Sequence, residues 1–190
     1  IADMWIHEAF TTYAESVFIE CEFGYEKSQQ YINGSGNNIS HKKPIIGQFG
    51  VNAKGDSDMY YKGALMLNTL RNIVNNDNIW WNTLKEFAIA FRHSIIESKD
   101  VIAFFNAKTH TNLTPIFNQY LKHTNLPEIE LRKHNNRIQA RWIVNVPHFE
   151  MPIEYEVNGK IYRQNIDSKW QKLQVNHEVF DEIKLNRTKF

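Results

Sequence analysis

The chain has 190 residues, 42% of them hydrophobic and 13% aromatic, which suffices for one sizeable core or two small domains and excludes disorder caused by low hydrophobicity. Its 22 basic and 21 acidic side chains leave a net charge of +1, so nothing favours nucleic acid or an anionic membrane as a partner. The single cysteine, Cys21, excludes an internal disulfide, and no run of about 18 apolar residues predicts a membrane span. The sequence begins at Ile1 without Met and enters a helical pattern at once, so we expect a piece of a longer protein.

Residues 1–126 are predicted to be helical. The first helix carries an apolar stripe at helical spacing that ends before Gly24, formed by Ile6, Ala9, Phe10, Tyr13, Ala14, Val17, Phe18 and Cys21. Its position in this stripe predicts that Cys21 is an inert thiol in the core. A shorter helix over residues 26–32 precedes an irregular stretch, residues 33–56, that contains five of the eight glycines. Irregular stretches of this length tend to be functional or mobile.

Four further helices are predicted before the end of this region. Ser57 is placed as the cap of the first, which turns Met59, Tyr60, Ala64, Leu67, Leu70 and Val74 inward. Asp77 is placed as the cap of the second, and Ser98 opens the third. Pro115 lies in the first turn of the fourth, where its missing N–H costs nothing. Leu126 and Pro127 then end the helical run.

From residue 128 the apolar period changes from 3.6 to 2, which indicates strands. About six short strands are predicted, with Asn158-Gly159 as the turn of a hairpin and the last two strands around Leu173 and over residues 180–185. The expected architecture is α+β, with a helical domain over residues 1–126 and a small antiparallel β-sandwich over residues 127–190.

Candidate chemistry in the first helix centres on His7 and Glu8. The zinc-binding pattern H-E-x-x-H needs a second histidine one turn later, but Thr11 stands there, and none of the eight histidines has another four residues away. A self-contained zinc site is therefore not expected.

The side of this helix opposite the apolar stripe combines two carboxylates with large apolar residues: Trp5, Glu8, Thr12, Glu15 and Ile19. Two interpretations stay open. The carboxylates form a solvated acidic face, or Glu8 is held toward a cation or a buried basic group.

Three other features of the sequence are candidates for chemistry. Residues 50–55 match the start of a phosphate-binding loop, but Asp56 follows where lysine is needed, which excludes that function. Tyr60 is either a hydrogen-bond donor to a developing oxyanion or an ordinary half-buried aromatic residue. Lys62 as a Schiff-base lysine has no supporting feature.

Two segments together resemble a known enzyme family. Residues 3–15 read DMWIHEAFTTYAE and resemble the W-L-N-E-G-F-A-x-Y-x-E helix of the gluzincin zinc aminopeptidases, the family of aminopeptidase N and the leukotriene hydrolases. Residues 58–67 read DMYYKGALML and resemble that family's Y-x-K-G-A helix, and residues 113–127 resemble the stretch that closes its catalytic domain. The resemblance implies the helical lobe of a thermolysin-like catalytic domain, followed by the sandwich found in shorter bacterial members.

The resemblance also implies roles for three residues. Glu8 matches the third zinc ligand, Tyr60 the tyrosine that stabilises the tetrahedral oxyanion, and Glu15 an acidic residue behind the ligands. His7 and Ala9 depart from the family's usual Asn and Gly without removing a ligand. The H-E-x-x-H helix and the G-x-M-E-N strand, which binds the substrate's amino group, are expected upstream of Ile1.

The sequence thus predicts the C-terminal part of an enzyme that uses Zn²⁺ to remove N-terminal residues from peptide substrates, and that is inactive without its upstream lobe. The alternative is a non-catalytic relative that binds peptides or proteins; a second rival is a structural domain with a coincidental motif pair. Because the upstream lobe is expected to cover Trp5, Thr12 and Ile19, we expect this face to be exposed or covered by a second copy of the chain in a homo-oligomer.

Overall fold

The structure is a computed structural model that describes residues 1–189. In that range the chain forms six α-helices followed by six strands. The helices are α1 (Trp5–Phe23), α2 (Tyr25–Ser35), α3 (Tyr61–Val74), α4 (Asp77–Ala90), α5 (Ser98–Thr109) and α6 (Thr114–Lys122). The strands are β1 (Glu128–His134), β2 (Arg137–Ile143), β3 (Glu150–Val157), β4 (Lys160–Asp167), β5 (Gln171–Asn176) and β6 (Lys184–Leu185). The α+β class is confirmed, and none of the helices in the described range is long and apolar enough to cross a bilayer.

The helix starts fall close to the predicted caps. Ser98 opens α5 and Pro115 lies in the first turn of α6, as predicted. Two caps differ by one residue. Asn76, not Asp77, accepts from the Ile79 N–H at 3.1 Å, and Asp56, not Ser57, accepts from the Asp58 N–H at 3.1 Å to cap a short 3₁₀ turn before α3.

The buried side of α1 matches the predicted stripe only in part: Ile6, Ala9 and Tyr13 are buried, but the end of the stripe is exposed. Its buried residues are Trp5, Ile6, Ala9, Tyr13 and Ser16, whereas Phe18 is 63% exposed and the predicted core thiol of Cys21 is exposed. Trp5 was expected to be exposed or covered by a second copy, but it is fully buried by its own chain, and its indole N–H donates to Ser98 Oγ at 2.8 Å. Thr12 and Ile19 are half-buried. The expectation that Trp5 is exposed or covered by a second copy is therefore wrong, and a homo-oligomer stays a prediction.

Close contact between α1 and α3 determines which side of α1 is buried. A Cβ placed on Gly63 would lie 2.5 Å from the Ala9 Cβ, so the two helices approach more closely than larger residues permit. Farther along, the Arg71 guanidinium on α3 binds Glu20 of α1 and Asp77 of α4, with Nη2 2.8 Å from an oxygen of each carboxylate. These contacts hold α1, α3 and α4 in one helical layer.

The irregular stretch is shorter and more ordered than predicted. Helix α2 and the 3₁₀ turn Gly36–Asn38 occupy its start, which leaves residues 39–56 without regular structure. Backbone contacts hold this loop: the Gly47 N–H donates to Ala2 O at 2.8 Å, and the Asp56 N–H to Pro44 O at 3.1 Å. A Cβ on Gly55 would lie 1.8 Å from Ile45 O, so only glycine fits there.

The strands form two antiparallel three-stranded sheets, with orders β1-β2-β5 and β4-β3-β6. Asn158 and Gly159 have φ angles of 51° and 76° at the β3–β4 turn, which confirms the predicted hairpin. The last predicted strand is mostly wrong, because residues 177–182 form a 3₁₀ turn and β6 keeps only two residues.

Contacts cross residue 126 between the helices and the sheets. Buried Gln119 of α6 accepts from the Asn145 N–H at 2.9 Å, and Arg163 Nη2 of β4 donates to Asn72 O at the end of α3 at 2.5 Å. Apolar residues of helices and strands join one core cluster. The division into domains 1–126 and 127–190 stays a prediction.

Candidate functional site

Glu8 and Tyr60 lie together on one side of the helical layer. Glu8 is half-buried in the first turn of α1, and Tyr60 stands at the start of α3 with 37% of its surface exposed. The Glu8 carboxylate is close enough to the Tyr60 hydroxyl for its charge to act on the phenol. Loss of hydration and the nearby Glu8 charge raise the pKa of the Tyr60 phenol above its ordinary value. The prediction that Tyr60 turns inward is wrong, because the inward positions beside it belong to Met59 and Lys62.

The residues on either side of Tyr60 are buried charges that bind main-chain atoms. Both carboxylate oxygens of Asp58 accept backbone N–H groups, from Ser40 at 2.7 Å and from His41 at 2.8 Å. Lys62 Nζ donates to the carbonyl oxygens of His123 and Thr124. The sequence pattern points neither to Asp58 nor to the contacts of Lys62. The one feature that could have indicated a shared role is that each charge lies two residues from Tyr60.

Glu15 lies two turns after Glu8 on α1, about 10 Å along the helix axis. Its carboxylate accepts from the Tyr31 hydroxyl of α2 at 2.5 Å. This hydrogen bond is the main cause that raises the pKa of the Tyr31 phenol. Glu15 is therefore bound to α2, and its supporting role behind Glu8 stays a prediction.

The described residues do not make up a zinc site by themselves. Zinc in proteins has four ligands, of which at least three come from side chains. Within residues 1–189 no three His, Cys, Asp or Glu side chains are grouped to hold a metal ion. Glu8 offers one carboxylate, and any site that includes it needs ligands from outside this range.

An apolar groove of about 860 Å³ runs along the outer side of α1. It is lined by Phe10, Ala14 and Val17 of α1, Leu84 and Phe87 of α4, and Phe91 and Ile95 beyond the end of α4. The groove continues past His7, the neighbour of Glu8 in sequence. Part of the predicted apolar stripe, namely Phe10, Ala14 and Val17, thus lines a surface groove, whereas Ala9 and Tyr13 of the same stripe lie in the core.

The fold has relatives among solved structures. An M1 zinc metallopeptidase from Deinococcus radiodurans aligns with 67% of this chain at 21% identity and a TM-score of 0.56. A mutant of that enzyme bound to a Tyr-Ser-Ala substrate aligns at 20% identity and a TM-score of 0.55. Aminopeptidase A of Legionella pneumophila, in complex with aspartic acid, aligns with 90% of this chain at 12% identity and a TM-score of 0.69.

The chain has the fold of part of an M1 zinc metallopeptidase. It spans 29% of the length of the Deinococcus enzyme and 21% of that of the Legionella enzyme. The sequence matches no protein-family model and no curated protein. The likeness therefore rests on the three-dimensional arrangement.

Proposed function

We propose that this chain is the C-terminal part of a gluzincin zinc aminopeptidase, which removes N-terminal residues from peptides. The observation that carries the proposal is the fold shared with zinc metallopeptidases, in which Glu8 lies close enough to Tyr60 to raise the pKa of its phenol. These residues come from two motifs 52 positions apart, and they meet at one surface of a fold shared with zinc metallopeptidases. If the two motifs were coincidental, nothing would require Glu8 and Tyr60 to lie near each other.

In this proposal Glu8 supplies one zinc ligand, and the upstream lobe of the same protein supplies the others. Zinc, when bound in the parent enzyme, polarises the peptide carbonyl and activates water. Tyr60 donates its phenolic hydrogen to the oxyanion that forms on the carbonyl. Its raised pKa supports this role, because the phenol keeps its proton over a wider range of pH. We retain Glu15 as a residue that supports the ligand from behind, through its helix.

The groove along α1 supports the view that a further lobe packs against this chain. Exposed apolar surface of this extent commonly marks a contact with another protein part. The groove is lined by Phe10, Ala14 and Val17, and Glu8 lies on the opposite side of α1, so a lobe that covers both must extend around this helix. On this proposal the isolated chain is inactive, since one carboxylate and one phenol cannot activate water.

The groove also favours the second candidate, a non-catalytic relative that binds peptides or proteins. Such a protein keeps the fold and the groove, but it has lost the upstream H-E-x-x-H pair. The codons that precede Ile1 in the gene discriminate between the two candidates, because an intact pair favours the peptidase and a degraded one favours the binding module.

The test measures zinc-dependent hydrolysis of aminoacyl-arylamide substrates by the longer protein that includes the upstream sequence. Tyr60→Phe removes the oxyanion donor, and we expect kcat to fall roughly 10²–10³-fold with little change in KM. Glu8→Gln removes a charged ligand, and we expect loss of both zinc and activity. Tyr61→Phe is the matched control, because Tyr61 is also 37% exposed and adjacent in sequence.

Two results would contradict the proposal. One is an equal loss of activity in Tyr60→Phe and Tyr61→Phe. The other is chelator-sensitive turnover by the isolated 190-residue chain, because the described residues alone do not offer a zinc site.

A further inference from the structure

Tyr60 lies on the surface, but buried residues on either side of it hold its main chain in place. Asp58 is 2% exposed and Lys62 is fully buried, and they stand two residues before and two residues after Tyr60. Buried charges are costly unless hydrogen bonds satisfy them. Both of these charges are satisfied by main-chain groups, so their positions do not depend on the rotamer of a partner side chain.

The two charges attach the Tyr60 segment to two distant parts of the chain. Asp58 binds the N–H groups of residues 40 and 41, and Lys62 binds the carbonyl groups of residues 123 and 124. The two attachment points are themselves connected, since His41 Nδ1 lies 3.0 Å from Thr124 O. Residues 58–62 are thus hydrogen-bonded at both ends to two parts of the chain that also contact each other. We call this arrangement the clamp of Tyr60.

The direction of the clamp matters for the position of Tyr60 relative to Glu8. Gly63 touches Ala9 directly, so the start of α3 presses against the turn of α1 that carries Glu8. The remaining freedom is a rotation or a shift of residues 58–62 along α1. Asp58 and Lys62 oppose that movement from either side of Tyr60.

We infer that Asp58 and Lys62 are positioning residues that together fix Tyr60 beside the turn of α1 that carries Glu8. The inference rests on the proposed function for its catalytic meaning, but the geometry is a property of this chain alone. The same hydrogen bonds also stabilise the fold, so the test separates the position of Tyr60 from stability.

The test uses the 190-residue chain labelled with tyrosine that carries ¹³C at Cζ, observed by NMR at one fixed neutral pH. Eight tyrosines give eight resonances, and Tyr60→Phe identifies the one from Tyr60. Glu8→Gln removes the nearby charge and defines the displacement that accompanies its loss. We expect Lys62→Met and Asp58→Asn each to displace the Tyr60 resonance by at least half of that amount. The double variant Glu8→Gln/Lys62→Met should show no further displacement beyond Glu8→Gln.

The matched control is Arg163→Met, which removes another cation that binds carbonyl groups of α3, at the opposite end of the helix. It should leave the Tyr60 resonance in place even if it lowers stability. Far-UV circular dichroism verifies that each variant is folded, and Asp58→Asn decides the question if Lys62→Met does not fold.

Three results would overturn the inference: a Tyr60 resonance that stays in place in folded Lys62→Met and Asp58→Asn, additive displacements in the double variant, or an equal displacement in Arg163→Met. Each of these leaves the activity test of Glu8 and Tyr60 untouched, since the NMR measurement needs neither zinc nor substrate. Failure of the activity test, in turn, leaves the clamp of Tyr60 standing and removes only its catalytic meaning.

Discussion

Lys62 shows how one buried charge is stabilised without a carboxylate within hydrogen-bonding distance. Its ammonium group donates to two carbonyl groups just beyond α6, where the partial negative charge of a helix C-terminus favours a cation. Burial lowers the pKa of Lys62 to about 8, and the nearby charge of Asp58 opposes that shift. The ammonium group of Lys62 is thus occupied by two main-chain carbonyl groups, which supports a structural role for this residue and not Schiff-base chemistry.

The lowered pKa makes a prediction about stability and pH. Between pH 8 and about 10.5 the unfolded chain keeps a proton on Lys62 that the folded chain has lost. The free energy of unfolding therefore gains a contribution that rises with pH in this range. Lys62→Met lacks the contribution, so the wild type should gain stability relative to this variant as the pH rises from 7.5 to 9.5 in urea titrations.

The control is Lys27→Met, because Lys27 is exposed and its amine bonds only to the neighbouring Gln30 side chain. Its stability difference from the wild type should stay constant over the same range. A constant difference for Lys62→Met as well would mean that the buried amine keeps its ordinary pKa.

Single residues also show what the sequence could and could not predict about the site. Glu8 and Tyr60 are predicted as site residues because family-like motifs surround them, and the charge of Glu8 contributes to the raised pKa of Tyr60. Asp58 was not singled out, because its partners are backbone N–H groups of a loop. Backbone partners leave no residue pattern, so only coordinates disclose them.

At the scale of elements, periodicity predicts that α1 is a helix but not which side is buried. Both sides of α1 are apolar: Trp5 and Ala9 on one, Phe10, Val17 and Phe18 on the other. The predicted stripe contains Ala9 together with Phe10, Val17 and Phe18, whereas the structure centres the burial on Ala9, because Gly63 of α3 packs directly against it. Contact distance between helices depends on residue size at one crossing point, which a hydrophobic period does not record.

This crossing leads to a prediction for Gly63→Ala. In an exposed helix this change stabilises by up to about 1 kcal/mol, but here the added methyl group would lie 2.5 Å from Ala9 Cβ. We expect a net destabilisation of roughly 1–3 kcal/mol from overpacking, measured as a lower urea midpoint. Because α1 and α3 separate, the Tyr60 resonance should also move in the direction seen for Glu8→Gln.

The matched control is Gly34→Ala in α2, where a new Cβ has no neighbour within 4 Å. It should stabilise the protein by a few tenths of a kcal/mol up to about 1 kcal/mol. If both variants are stabilised, α1 and α3 have room to separate at no cost, and the proposed close crossing is not what fixes the buried side of α1.

At the scale of the whole molecule, the change of period at residue 128 correctly predicts a helical part followed by a part made of strands. It does not record how the parts interact. The buried amide of Gln119 pairs with Asn145, and the guanidinium of Arg163 reaches the end of α3. Each of these groups would exchange its partner for water if the helical part and the sandwich separated, at a net cost of about 0.5–1.5 kcal/mol for each hydrogen bond.

These shared contacts predict that the chain unfolds as one cooperative unit. Hydrogen exchange followed by mass spectrometry should give peptides of α3 and of β3 the same free energy of opening, and Arg163→Met should lower both values together. In two independent domains that variant would lower the value for the sandwich and leave α3 nearly unchanged. Lys160→Met is the control, since Lys160 lies on the exposed end of the same strand and should change neither value by more than about 0.5 kcal/mol. Two separate opening energies in the wild type would contradict the prediction and restore residue 126 as a true boundary between folding units.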